Sequence, residues 1–312
     1  MPTRDATRAH EFRELLVLWA ARKAGILDAV MTKAGTPETV AREANVTERA
    51  ARITIEALAE RGFLKQVGEG YEPTNRALGF FAKTDLNSIG RLSHELDALD
   101  RWVALPEAMR TGEQTPEPPE WTVNKLGAHA AMDEATVRAV VTAAVHYHDG
   151  GTRVLDVGGG AGTYALEFAR RGYDVTLCDT PAVIERDRAQ LRHEAVSLVE
   201  GQFGAPISET YDLVFAGGVA HWHGPETVRS FIEHAHDALD AGGSLVLSEF
   251  VRDHAQNAAL VGAHMLAQSE RGDTYTEQQF RTWLSAASFK QARVESIPGT
   301  DLQLVGGRRA ID

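Results

Sequence analysis

The sequence predicts a two-part α/β protein, in which a mostly helical N-terminal region precedes a doubly wound parallel sheet. In residues 1–84 the apolar side chains recur at helical spacing, and a short hairpin pattern follows them. In residues 150–312 short apolar segments alternate with helical stretches of about ten to sixteen residues. Strand and helix in alternation are typical of a parallel sheet covered by helices on both faces.

The N-terminal region has the order helix, helix, helix, hairpin. Residues 10–24 carry apolar side chains at helical spacing, and residues 37–44 and 48–61 each follow a threonine that favours a helix start. Residues 63–73 contain two short strand patterns around a glycine-bearing turn, which predicts a β-hairpin. This order is that of a winged helix.

A winged helix can bind DNA or pair two subunits, and the charges favour pairing. The chain has a formal net charge of −12 and a sequence pI of about 5.5. The candidate recognition helix 48–61 balances Glu48, Glu56 and Glu60 against Arg49, Arg52 and Arg61. Phosphate binding needs a basic excess on one face. We therefore expect no nucleic-acid partner, and a dimerisation or substrate-covering role for this region. The apolar stripe of residues 10–24 is long for a lone surface helix and favours a homodimer.

Residues 85–149 are expected to form further helices around a loop at 111–120 that is rich in Pro, Glu and Thr. Trp102 and Met109 make this segment aromatic and sulfur-rich. Two interpretations stay open for them, packing between the two halves or a wall of a substrate pocket. The predicted domains are thus 1–84, 85–149 and 150–312.

Cysteine content and hydropathy indicate the compartment. Cys178 is the single cysteine, so no intrachain disulfide and no cysteine-based zinc cluster can form. No stretch approaches eighteen consecutive apolar residues, so we expect no membrane partner. The N-terminal segment is amphipathic, unlike the apolar core of a signal peptide. We expect a cytoplasmic protein.

A glycine-rich loop follows the first strand of the sheet. Residues 154–157 end in Asp156-Val157, and Gly158, Gly160 and Gly162 come next, before a helix. Glycines allow the backbone to turn tightly and to approach a ligand closely. In doubly wound sheets ligands lie at the carboxyl ends of the strands, and this placement alone suits a nicotinamide dinucleotide as well as other nucleosides.

Two features favour a positively charged nucleoside over a dinucleotide. The frame Gly160-x-Gly162-x-x-Ala165 matches the loose dinucleotide pattern, but the frame that begins at Gly158 ends at Thr163 and breaks it. Asp156 also lies two residues before the first glycine, where a carboxylate would repel a diphosphate. A sulfonium-bearing nucleoside tolerates that charge, so the loop favours S-adenosylmethionine (SAM), with S-adenosylhomocysteine as product.

Further cofactor-binding candidates follow at the ends of the next strands. Asp179 ends the second strand and can accept hydrogen bonds from both ribose hydroxyls, although capping of the next helix is an alternative role. Gln202 and Phe203 follow the next strand, where Gln202 could bond the edge of the adenine and Phe203 could stack on it.

Four stretches together resemble small-molecule O-methyltransferases of the caffeate and hydroxyindole type. They are Asp156–Gly162, Asp179-Thr180-Pro181-Ala182-Val183, Asp240–Glu249, and Met265-Leu266 followed by Thr276–Phe280 and Ala287-Ser288-Phe289. The resemblance implies an N-terminal winged-helix dimerisation domain and a C-terminal SAM domain. It also implies that Thr180 and Gly217 lie in the cofactor site, and that Met265 and Trp222 border the pocket of an aromatic acceptor. Packing in the core is the alternative role for Met265.

The resemblance implies a general base at His221. Methyl transfer is an in-line displacement in which the acceptor hydroxyl must lose its proton, and an imidazole with a pKa of about 6.5 removes it efficiently at neutral pH. His223, two residues on, is the alternative base. The two histidines have no third ligand nearby in sequence, so no metal site is expected.

Two acids steady that histidine in the family, and this sequence keeps one. Glu249 matches the first, at the end of the fifth strand. Thr274 stands at the second position, with Asp273 beside it as a substitute whose side chain would point in another direction.

The predicted function is SAM-dependent methyl transfer to a small acceptor, most simply an aromatic hydroxyl. Two alternatives stay open at this stage. One is a SAM-binding relative that has lost or changed methyl transfer. The other is a winged-helix transcriptional regulator that senses SAM.

Overall fold

The computed structural model describes residues 3–32, 35–82, 86–148 and 150–311. The predicted boundary residues 84, 85 and 149, and the terminal residues 1 and 312, lie outside these ranges. The chain divides into two compact units. The first comprises Met1–Asp100 and Val123–Ala131, and the second comprises Arg101–Thr122 and Met132–Asp312.

The first unit consists of helices and one hairpin. Its elements are α1 (Thr3–Lys23), α2 (Ile26–Thr32), α3 (Pro37–Glu43), α4 (Glu48–Glu60), β1 (Leu64–Val67), β2 (Gly70–Pro73), α5 (Asn75–Ala82), α6 (Leu86–Ile89), and parts of α7 (Leu92–Thr111) and α8 (Trp121–Ala130). The sequence did not predict α2, which is only seven residues long. Its four buried residues complete a core shared with α3, α4 and the hairpin.

A threonine cap begins α4, and a glycine allows the turn of the hairpin. The side chain of Thr47 accepts a hydrogen bond from the backbone N–H of Ala50, which satisfies one of the free donors at the start of α4. Val67 pairs with Gly70 across the antiparallel hairpin, and Gly68 in the turn has a positive φ of 60°. The predicted order of three helical segments and a hairpin is present, with α2 inserted.

The second unit alternates strands and helices. Its elements are α9 (Glu134–Tyr147), β3 (Arg153–Val157), α10 (Thr163–Arg170), β4 (Asp174–Asp179), α11 (Pro181–Gln190), β5 (Val196–Glu200), β6 (Tyr211–Gly217), a 3₁₀ turn (Ala220–Trp222), α12 (Pro225–Ala238), β7 (Leu239–Glu249), α13 (Ala258–Gln268), α14 (Glu277–Ala286), β8 (Lys290–Ser296) and β9 (Gln303–Arg308).

Within the described ranges, seven of these strands form one sheet in the order β5-β4-β3-β6-β7-β9-β8. The chain runs from β3 outward through β4 to β5, and then returns to place β6 on the other side of β3. Strand order therefore reverses beside β3. In doubly wound sheets this is where a crevice opens outside the carboxyl ends of the strands.

Both faces of the sheet are covered. Val154 and Phe215 face a core shared with α9 and α10, whereas their neighbours Leu155 and Val214 face a second core shared with α12 and α14. Successive side chains of a strand point to opposite faces, so strands buried on both sides are apolar throughout. The predicted doubly wound α/β fold is confirmed.

The sheet differs from the predicted one at its end, where β9 was not predicted. This strand runs antiparallel to both β7 and β8. A parallel pair needs a crossover of a dozen or so residues, whereas a short link between consecutive strands allows only an antiparallel pair. Residues 297–302, which join β8 and β9, are such a link.

None of the helices that the structure describes combines the length and the apolar character needed to cross a bilayer.

Candidate active site

The loop between β3 and α10 leaves no room for side chains at Gly158 and Gly162. Gly158 and Gly162 have φ values of 71° and 75°, in the left-handed region that other residues avoid. A Cβ atom on Gly158 would lie 2.7 Å from Cγ2 of Val219, and one on Gly162 would lie 2.9 Å from Cδ1 of Leu191. Gly160, with a φ of 52°, completes the loop, whose backbone lies at the reversal point of the sheet.

Asp156 lies beneath this loop and is 1% exposed. Neither carboxylate oxygen has a hydrogen-bond partner among the described residues. Burial and the neighbouring charge of Asp179 raise the pKa of Asp156 to about 7. A buried, unpaired carboxylate is costly unless a positive charge approaches it.

Asp179 connects the loop to the second strand. Its Oδ2 accepts a hydrogen bond from the backbone N–H of Gly160 at 2.9 Å, and its Oδ1 accepts one from the N–H of Thr180 at 2.7 Å. Thr180 is the N-cap residue of α11, and the helix has no side-chain cap. The Asp179 carboxylate therefore holds the glycine loop and keeps lone pairs available for further donors.

Phe203 follows β5 and stacks on two rings. The centroid of Phe203 lies 4.7 Å from that of His223 and 4.2 Å from that of Phe231, with interplanar angles of 13° and 26°. Two rings this close cannot share one face, so both faces of Phe203 are covered. The adenine stacking predicted for Phe203 stays a prediction, and it would require His223 or Phe231 to move away from the ring; in the arrangement described here only the edge of Phe203 is available.

Gln202 follows β5, and Gly217 is the last residue of β6. Gln202 precedes Phe203 at the carboxyl end of β5, directly after Gly201, whose N–H bonds the carbonyl of Asp179. Gly217 ends β6, where a Cβ would lie 2.5 Å from the ring of Tyr164. Close packing against α10 thus requires a glycine at this position.

His221 and Glu249 meet at the ends of two paired strands. The 3₁₀ turn that carries His221 follows β6, and Glu249 is the last residue of β7. Nδ1 of His221 lies 2.7 Å from Oε2 of Glu249, and the N–H of Ala220 donates to Oε1 at 2.6 Å. His221 is 8% exposed and Glu249 is 2% exposed.

This contact determines which nitrogen of His221 can act as a base. A carboxylate only accepts hydrogen bonds, so Nδ1 carries the proton. Nε2 then keeps its lone pair, and no residue of the described ranges bonds it. A histidine oriented in this way can remove a proton through Nε2.

Asp273 does not take the place of the second acid. Its carboxylate lies 2.6 Å from the guanidinium of Arg252 and accepts a hydrogen bond from the N–H of Thr274. Thr274 is 1% exposed and donates to the carbonyl of Ala258. Both side chains are thus engaged with groups other than His221.

The turn that carries His221 is instead held through its backbone. The Ser269 hydroxyl donates to the carbonyl of Trp222 at 2.7 Å, and the Tyr275 hydroxyl donates to the carbonyl of His223. Gly272 packs so closely that a Cβ there would lie 2.5 Å from the carbonyl oxygen of His221. The loop after α13 therefore contacts three successive carbonyls. Sequence reasoning did not single out these residues.

The structure brings some of the predicted pocket residues together. The ring centroids of Trp102 and His264 lie 5.8 Å apart. Met265, which follows His264 on α13, is 1% exposed. Trp222 lies against His221, at 5.9 Å between ring centroids. Met109 is 62% exposed and is not grouped with them.

Sequence reasoning also missed His264 and Asp187. Asp187 is fully buried, and neither of its oxygens has a partner among the described residues. The signal was available, because Asp187 lies at helical spacing between Ile184 and Leu191 on the apolar side of α11. No group of three or more metal-ligating side chains is assembled within the described ranges.

The site fits S-adenosylmethionine. Asp156, a buried acid without a counter-charge, suits a cationic nucleoside and would repel a diphosphate. Asp179 is placed to accept hydrogen bonds from ribose hydroxyls, beside a loop whose glycines let a ligand approach the backbone. Fold and site together define a SAM-dependent methyltransferase, with S-adenosylhomocysteine as its product.

Comparison with known proteins identifies the family. The sequence model of the O-methyltransferase domain matches residues 122–290, so the chain belongs to the O-methyltransferase family. The tetracenomycin polyketide synthesis 8-O-methyl transferase TcmO of Streptomyces glaucescens is 27% identical over 90% of both chains. The 3-hydroxy-5-methyl-1-naphthoate 3-O-methyltransferase of Streptomyces sahachiroi is 26% identical over 88% of this chain and 86% of its own.

A solved structure shares the fold. The structure of PigF with S-adenosylhomocysteine matches with a TM-score of 0.73 at 21% identity, over 99% of this chain and 100% of the other. The comparisons favour an enzyme over the two alternatives left open by the sequence, a SAM-binding relative without methyl transfer and a transcriptional regulator.

Proposed function

We propose that this enzyme transfers the methyl group of SAM to a hydroxyl oxygen of a small aromatic acceptor, with His221 as general base. The observation that carries the proposal is the 2.7 Å contact between His221 Nδ1 and Glu249 Oε2, which leaves Nε2 to act on the acceptor. Glu249 orients the imidazole and stabilises the imidazolium that forms when the proton arrives.

When bound, SAM supplies an electrophilic methyl group on a positively charged sulfur. Asp156, Gly158, Gly160, Gly162, Asp179, Thr180, Gln202 and Gly217 are the residues we propose to hold it, and Phe203 contributes its edge. Nε2 of His221 would take the proton of the acceptor hydroxyl, whose oxygen would receive the methyl group, and S-adenosylhomocysteine would be the leaving group. Holding the reacting atoms in line accounts for much of the remaining acceleration.

The relatives and the site support an aromatic acceptor. One relative is named as an 8-O-methyl transferase of tetracenomycin polyketide synthesis, and another as a 3-O-methyltransferase of 3-hydroxy-5-methyl-1-naphthoate, an aromatic compound. Trp222 lies against His221 in the 3₁₀ turn, and Met265 lies on α13, which contacts this turn. Trp102 contacts His264 on the same helix. Flat aromatic rings pack well on such side chains. The exposure of Met109 gives it no part in this proposal.

A transfer assay tests this function. Purified enzyme is incubated with SAM labelled on its methyl group and a panel of phenols, naphthols and hydroxynaphthoates, and products are identified by mass spectrometry. We expect label on the oxygen of at least one acceptor. The absence of transfer to every hydroxyl compound, together with transfer to an amine or carbon acceptor, would contradict O-methylation.

We further propose that the N-terminal helices and hairpin form a winged-helix dimerisation region. The charges support pairing over DNA binding, because Arg52 pairs with Glu56 on α4, and Lys65 with Glu72 across the hairpin. The division into 1–84, 85–149 and 150–312, the homodimer and a cytoplasmic location stay part of this proposal. Light scattering that gives the mass of a monomer would contradict the dimer.

A further inference from the structure

His264 is a partly buried histidine that the proposed chemistry does not use. It lies on α13, directly before the buried Met265, and α13 packs against the turn that carries His221. Its ring contacts Trp102 at 5.8 Å with a tilt of 39°. Neither ring nitrogen has a hydrogen-bond partner among the described residues, and neither is sealed from solvent.

The surroundings of His264 are fixed by Arg101. This guanidinium donates to the carbonyls of Ala267 and Gln268 at the end of α13, at 3.2 and 3.0 Å, and to that of Thr115 at 2.8 Å. It thereby attaches the segment of α7 that carries Trp102 to the helix that carries His264. Donors at the last carbonyls of a helix also satisfy groups that the helix leaves free.

Burial and the charge of His221 lower the pKa of His264. A neutral imidazole has one donor nitrogen and one acceptor nitrogen, so His264 can pair with a hydroxyl, a carbonyl or a ring nitrogen of a ligand.

We infer that His264 binds a second polar group of the acceptor, so that the enzyme prefers aromatic compounds that carry another hydroxyl, carbonyl or ring nitrogen on the ring system that is methylated. Trp102 would contact the aromatic ring of the acceptor, and His221 would remove the proton of the hydroxyl that is methylated. The inference rests on the proposed function, and it adds a residue that selects the substrate.

Paired ligands that differ by one hydroxyl test this inference. Affinities of 2,3-dihydroxynaphthalene and 2-naphthol are measured by calorimetry on the enzyme saturated with S-adenosylhomocysteine, a readout that needs no turnover. Because one hydrogen bond to a buried partner changes affinity by about five- to tenfold, we expect the wild type to prefer the diol by about that factor. His264→Phe keeps a ring against Trp102 and should bring the ratio of affinities close to one.

Two further variants complete the test. His264→Gln retains a donor and an acceptor and should keep part of the preference, and His146→Phe, at an exposed position on α9, should keep all of it. Equal affinity of the wild type for the two ligands, binding of neither, or an unchanged ratio in His264→Phe would overturn the inference. Failure of methyl transfer with the diol still bound preferentially would reject the proposed function and leave the role of His264 standing.

Discussion

Glu249 Oε2 lies 2.7 Å from Nδ1 of His221, while its other oxygen bonds the backbone of the same turn. The two residues are 28 positions apart in the chain, and they meet because β6 and β7 are parallel neighbours with Gly217 opposite Ser248. One carboxylate therefore orients both the imidazole and the turn that carries it.

Replacement of His221 by Ala should reduce kcat by about 10²-fold or more, because no other group would remove the acceptor proton. Binding of SAM, measured by calorimetry, should change little. His223→Phe is the control, since it preserves the stack on Phe203, and we expect it to lower kcat less than His221→Ala does. The reverse order of effects would assign the base to His223.

Glu249→Gln should reduce kcat by about 10- to 100-fold with a small change in KM. The amide can still bond the N–H of Ala220, but it offers no negative charge to the imidazolium that forms during transfer. Steady-state kinetics measure both parameters, and Glu295→Gln on the exposed face of β8 is the matched control. An equal loss in the control, or a change confined to KM, would argue against this role.

Binding of SAM should release protons near pH 7. Since burial and Asp179 raise the pKa of Asp156 to about 7, this acid is partly protonated in the free enzyme, and a bound cation favours its charged form. Calorimetry in two buffers of different ionisation enthalpy measures the protons released, and the number should fall from pH 6 to pH 8.

Asp156→Asn should abolish much of that release and weaken SAM binding. Asp240→Asn, at an exposed position of β7, should leave both unchanged. Protons released equally by the wild type and Asp156→Asn would assign them to another group, and Asp187 is the first to examine.

Asp187→Asn should stabilise the free protein above neutral pH. Burial and Asp179 raise the pKa of Asp187 to about 7. An acid whose pKa is higher in the folded than in the unfolded state binds more protons when folded. The free energy of unfolding therefore falls as the pH rises from about 4 to about 7. At pH 8 we expect the free energy of unfolding of the variant to be about 1–3 kcal/mol higher than that of the wild type.

Denaturant unfolding at pH 5 and pH 8 measures this difference, which should be smaller at pH 5. Asp237→Asn, whose side chain is 83% exposed, is the control and should show no such pH dependence. Equal stability of Asp187→Asn and the wild type at pH 8 would show that the buried carboxylate is accommodated in another way.

Gly158→Ala should weaken SAM binding, whereas Gly172→Ala should leave SAM binding unchanged. The new Cβ would meet Val219 at 2.7 Å in a loop of positive φ. Gly172 also has a positive φ, of 88°, but nothing lies within 4 Å of its Cβ position, so Gly172→Ala carries the backbone strain without the collision. Calorimetry and thermal unfolding of both variants separate the two effects, and equal affinities would contradict the prediction.

Prediction from the sequence succeeded for residues whose neighbours are close in the chain. The strand of Asp156, the glycine loop and the Thr47 cap of α4 follow from local spacing, whereas Thr36 stands at the N-cap position of α3 but makes no side-chain capping hydrogen bond. It missed β9, whose Gly306 and Gly307 interrupt a strand pattern. Those glycines are needed because a Cβ would lie 2.6 Å from the ring of Tyr147 or 2.8 Å from that of Phe289.

The amino-acid sequence by itself determined the alternation of strands and helices and the glycine loop, because these depend on local backbone preferences and on residue types at short spacing. The candidate base His221 came from the resemblance to a known family. The tertiary structure alone decided that Glu249 reaches His221, that Arg252 holds Asp273, and that the faces of Phe203 are covered. Those relationships depend on which strands become neighbours and how side chains fill the space between them, and no pattern along the chain encodes these distances.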